Sequence, residues 1–155
     1  MIASVAAINR WLERANTEYS PILTAYNLSF DLGKCENTGI DLRQFEQSFC
    51  LWAAAFSAYA HTRGFRQLVL DIHAFNSPTS QGNMSFKTNA ETMTRYVLNN
   101  PNLADEPHTS LEDAIDYELP ILTKLLRSYT TRWLLEDSQA YDWRKVQVKD
   151  WFRPA

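Results

Sequence analysis

Glycine is scarce in this chain, with four among 155 residues. A nucleotide site built on a Gly-rich turn needs several glycines in close order, so that chemistry is not expected. No G-x-S-x-G and no H-E-x-x-H occurs, which removes common signatures of serine hydrolases and zinc proteases. Cysteine is scarcer still. Cys35 and Cys50 cannot build a disulfide framework, and Cys50 inside an apolar run reads as a buried reduced thiol. Lys and Arg together number 15, but they are spread from Arg10 to Arg153 without forming a block. With a formal charge of −3 the chain has no general attraction to phosphate, so nucleic acid is not the expected partner. No apolar run reaches the roughly 20 residues that a membrane span requires. The start, MIASVAAINRWLER, lacks the basic region and long apolar core of a secretory signal. These absences predict a soluble, cytoplasmic protein with no cofactor and no membrane partner.

What is present fits one globular domain over residues 1–155. Apolar residues make up 45% and charged residues 21%, close to the averages for folded chains. The organising stretch is 41–62. Asp41 and Gln44 have the spacing of a capping box. Leu42, Phe45, Phe49, Trp52, Ala53, Phe56 and Ala60 then recur at helical steps. No formal charge falls between Glu46 and Arg63, so this helix is expected to be surrounded on all sides. The fold class that follows is all-α, a single irregular helical bundle around a buried central helix at 41–62. The alternative is α+β with a minor sheet involving 26–32, where Tyr26, Leu28, Phe30 and Leu32 alternate with polar residues.

Around that stretch the pattern predicts an amphipathic helix over 2–15 and a helix start at Ser20-Pro21. Loops are expected at 33–39 and 76–87, with a kink or break at Gly64. Capping boxes at Thr88 with Glu91 and at Thr109 with Glu112 open two further helices. The second carries a stripe of Leu111, Ile115, Leu119, Leu122, Leu126, Tyr129 and Trp133. Pro120 lies inside it and predicts a kink or two helices meeting, since it removes a helical hydrogen bond.

Three groups of residues could carry function. Arg66 and His73 are separated by six residues, and positions seven apart share a helical face. An Arg followed after four to six residues by His resembles the motif of the HEPN family of all-helical ribonucleases. That resemblance implies that Arg66 stabilises phosphate while His73 moves protons at the 2′-hydroxyl. The second group is the acidic run Asp105, Glu106, Glu112, Asp113, Asp116 and Glu118, with no basic residue among them. Acids gather at helix N-termini because the backbone dipole favours them. They also steer a basic partner. Glu112 and Asp116 lie one turn apart but lack a second carboxylate pair, and His61, His73 and His108 are scattered, so no metal site is expected. The third group is the aromatic tail, where Trp143 and Trp151 are candidate contact anchors.

The function that follows is a non-enzymatic protein-binding protein, of an inhibitor, immunity or adaptor kind, with an acidic surface and aromatic anchors for a basic partner. The alternatives are an HEPN-like ribonuclease using Arg66 and His73, and a helical subunit of a larger assembly.

Overall fold

The structure is a computed structural model and describes residues 3–142. It is mostly helical, with one small parallel sheet. Helix α1 spans Val5–Tyr19, capped by the Ser4 hydroxyl, which accepts from the Ala7 N–H at 3.2 Å. It buries no residue. Two side-chain amides tie it to the rest of the chain. Asn9 Nδ2 donates to the Gly39 carbonyl at 2.9 Å, and Asn16 Nδ2 donates to the Gln44 carbonyl at 2.8 Å.

The helix expected at Ser20-Pro21 does not form. Ser20 closes α1 in the left-handed conformation, with φ 44°, and the chain runs on into β1, Leu23–Ala25. β1 pairs in parallel with β2, Ser48–Cys50, in the register Leu23 to Ser48, Thr24 to Phe49 and Ala25 to Cys50. The minor sheet therefore exists but lies outside 26–32. Those alternating residues enter α2, Leu28–Thr38, where only Leu28 is buried. The alternation carried no strand because 26–32 acquired no partner edge, and a strand needs one.

The expected helix at 41–62 is shorter at both ends. Asp41 and Gln44 do meet, but they close a local turn: Asp41 Oδ1 accepts from the Arg43 N–H at 3.0 Å and Gln44 Nε2 donates to the Asp41 carbonyl at 2.6 Å. Residues 48–50 are claimed by the sheet. Helix α3 begins only at Leu51 and ends at Tyr59. Within it Leu51, Ala53, Ala54, Ala55, Phe56, Ala58 and Tyr59 are all buried, as the uncharged sequence requires. Its run of alanines lets neighbours approach closely. Ser57 Oγ donates to the Ser138 carbonyl at 2.9 Å.

Thr62 caps α4, Arg63–Asp71, by accepting from the Phe65 N–H at 3.3 Å. The break thus precedes Gly64, which sits in the first turn of α4. A Cβ there would sit in van der Waals contact with the Tyr96 ring at 3.4 Å, which marks how α4 lies against α5, Ala90–Val97. Phe65 is fully buried and stands edge-on to Phe86 and Tyr96 at centroid distances of 5.8 and 5.4 Å. The segment 76–87 is tied at its base by Asn76 N–H to Ser85 O at 2.8 Å and Lys87 N–H to Ala74 O at 2.7 Å. Asn89, not Thr88, caps α5, accepting from the Thr92 N–H. Thr88 is engaged elsewhere, accepting the Trp52 indole N–H at 2.9 Å.

From 110 the chain is helical as far as 128. It passes through α6 (Ser110–Glu112), a π-helical turn (Asp113–Glu118) and α7 (Leu119–Ser128). Pro120 falls in the first turn of α7, where its missing N–H costs least. The π turn just before it takes the place of the expected kink. In that turn the Tyr117 carbonyl accepts from the buried Thr94 hydroxyl at 2.7 Å. The buried face is Tyr117, Ile121 and Leu125. The stripe expected to enter the core is largely outside it: Leu111 is 69% exposed, Ile115 50%, Leu119 49% and Leu126 55%. Two apolar faces lie side by side on this run, and the core takes the shorter one. Helix α8, Thr131–Leu135, and a 3-10 turn at Asp137–Ala140 close the described chain against β2 and α3. Among the described residues no helix is long and apolar enough to cross a membrane.

Candidate functional site

The acidic run is divided by the fold. Asp105 is exposed and ion-paired to Arg95 Nη2 at 2.7 Å, while Arg95 Nη1 holds Glu91 at 2.5 Å. Glu112 accepts from the Thr109 hydroxyl at the start of α6. Asp116 stands exposed on the π turn. The remaining three, Glu106, Asp113 and Glu118, turn inward to line a cleft of about 610 Å³.

The cleft is framed by the β1–α2 junction, the 87–90 segment and the chain from 106 to 118. Its wall is built by long-range hydrogen bonds. The Tyr26 hydroxyl donates to the Thr88 carbonyl, Trp52 donates to the Thr88 hydroxyl, and the Tyr26 N–H donates to Glu118 Oε2 at 3.2 Å. Burial drives the Tyr26 hydroxyl well above its ordinary pKa, so Tyr26 is a donor here and not an acid. Asp31 of α2 also lines the cleft, and Lys87 brings an ammonium to the lining.

The electrostatics follow from this convergence. Burial raises the Glu118 carboxyl above the ordinary carboxylate range, and Asp31, Glu106 and Asp113 push it further, against the opposing Tyr26 N–H. Glu106 is raised first by burial and then by Asp113, with His108 opposing. Asp31 is raised by burial. Like charges at short range in a partly dry cleft each favour protonation or a counter-cation. His108 is brought between the acids. Glu106, His108 and Asp113 present one ligand atom each, all within 4.8 Å of one another. Taken alone, His108 lacks obvious companions. The signal in the sequence is the spacing Glu106-x-His108-x4-Asp113, which the π turn and the 104–108 segment fold into one corner.

Arg66 is half-buried on α4, and His73 is exposed two residues beyond the end of that helix, in the left-handed region with φ 52°. They do not share one continuous helix, so the seven-residue spacing does not set their mutual geometry. Asp71 is held by Gln67 Nε2 at 2.8 Å. Trp143 and Trp151 lie outside the described residues. No protein family, curated protein or solved structure gives a significant match to this chain.

Proposed function

We propose that the protein is a non-enzymatic binding protein that docks a partner on the outer face of the 110–128 helical run, in the manner of an inhibitor, immunity protein or adaptor. One observation carries this reading. Leu111, Ile115, Leu119 and Leu126 follow one another along this run as a line of large apolar side chains, each about half exposed or more, and Glu112 and Asp116 on the same run are exposed carboxylates. Single exposed leucines are ordinary, but four large apolar side chains exposed on one helical run with carboxylates among them have the composition of an interaction site. The partner fitted to it has an apolar ridge with basic residues along one side. The carboxylates steer the encounter and the leucines hold the complex. In the same reading the other helices form a bundle around α3.

A second reading rests on the same line: the protein is a subunit whose outer face is covered by another chain of its assembly. Affinity purification from the native host tests both. Wild-type protein is expected to retain a protein in stoichiometric amount, and Ile115→Ser with Leu119→Ser is expected to lose it while melting as wild type does. Glu112→Lys with Asp116→Lys is expected to slow association with the recovered partner, as raised salt slows the wild type. A partner retained equally by all three proteins would overturn the docking face.

A further inference from the structure

The geometry points to a divalent transition-metal site formed by Glu106, His108 and Asp113 in the cleft, a second site that shares no residue with the docking face. The donor set is one imidazole nitrogen and two carboxylates. Imidazole suits zinc, iron, nickel and copper, and carboxylate suits manganese, so the mixed set selects a cation such as Zn²⁺ or Mn²⁺ over Ca²⁺. Ligands about 2.1 Å from one ion can lie at most roughly 4.2 Å apart. The three ligand atoms here lie within 4.8 Å, so rotation of the exposed His108 or of a carboxylate closes the set without moving the backbone.

A group of acids alone would say little, but two features set this corner apart. The first is Asp113 Oδ1, which is buried and has no hydrogen-bond partner among the described residues. Buried polar atoms are nearly always partnered, because desolvation without a partner is costly. A cation supplies the missing partner. The second is the charge balance. Glu118 and Asp31 line the same cleft as Glu106 and Asp113, with Lys87 the counter-charge in the lining. A divalent ion reverses the repulsion among these carboxylates. Three protein ligands facing an open cleft leave coordination positions for water or for an incoming donor.

Tag-free protein, stripped with EDTA, is dialysed against ZnCl₂ and separately against MnCl₂, and bound metal is counted by mass spectrometry while binding heat is titrated. One ion per chain is expected, with a higher melting temperature than in EDTA. Asp113→Asn keeps the side-chain volume and is expected to weaken binding at least about tenfold, and His108→Ala likewise. His61→Ala, an exposed histidine elsewhere, is expected to bind as wild type does and controls for incidental imidazole binding. Circular dichroism establishes that each variant is folded, and His108 is exposed enough that its removal leaves the fold intact. Absence of binding at millimolar metal, or binding that survives both His108→Ala and Asp113→Asn, overturns the site.

Discussion

Tyr26 and Glu118 stand 92 positions apart, yet the backbone N–H of one donates to the carboxylate of the other at 3.2 Å. This bond fastens the β1–α2 junction to the end of the π turn and places a carboxylate where its charge is poorly solvated. Burial, and after it Asp31, Glu106 and Asp113, raise the Glu118 pKa in the folded protein. The fold therefore favours the protonated form. The stabilisation from this group is complete below the unfolded pKa and is lost as pH rises through the raised folded value. Glu118→Gln keeps an acceptor for Tyr26 and removes the charge. In EDTA, the variant is expected to melt above wild type at pH 7 and level with it near pH 4. The gain is below about 1 kcal/mol, since the cleft is open and solvent still screens part of the charge. A variant that melts below wild type at pH 7 would show that the charge on Glu118 stabilises the fold.

Leu125 and Leu126 are neighbours with opposite fates. Leu125 is fully buried and Leu126 is 55% exposed. Leu125→Ala is expected to cost about 2–5 kcal/mol in urea unfolding, whereas Leu126→Ala is expected to stay within about 0.5 kcal/mol. Equal losses would place the helix in a different phase.

This pair also shows how far the sequence could be read. That the chain is mostly helical followed from its periodicities, and the apolar character of 51–59 correctly announced burial. The phase of the 110–128 run did not follow. Ile121 and Leu125 recur at a helical step as faithfully as Leu122 and Leu126 do, and only tertiary packing chooses between the faces. The Asp41–Gln44 signature is real, but it closes a turn, because parallel pairing with β1 outbids helix for 48–50. A parallel pair joins segments separated by α2, which local pattern cannot show. In the cleft, Glu106, Asp113 and Glu118 were visible as acids. Their meeting with His108 and Asp31 depends on the π turn and on loop geometry, neither of which has a clear sequence signal.

Phe56 tests the buried helix itself. It lies 7% exposed in α3, with its ring 6.0 Å from Trp52 and 5.4 Å from Tyr141. Phe56→Ala takes one ring out of that aromatic cluster and is expected to cost about 3–5 kcal/mol. A loss below about 1 kcal/mol would mean that α3 is not held by its neighbours as described.

The ribonuclease alternative turns on His73. Its φ of 52° is a conformation that most side chains avoid and glycine adopts freely. His73→Gly therefore deletes the imidazole while keeping the turn that ends α4, and the variant is expected to melt at or above the wild-type temperature. Wild-type protein incubated with total RNA over a range of salt and metal is expected to leave the RNA intact, as a binding protein should. His73→Gly is expected to behave identically. Cleavage by the wild type that vanishes in His73→Gly at an unchanged melting temperature would reverse this conclusion. It would show that His73 acts on RNA, and Arg66→Ala losing cleavage as well would make the resemblance to the HEPN motif functional.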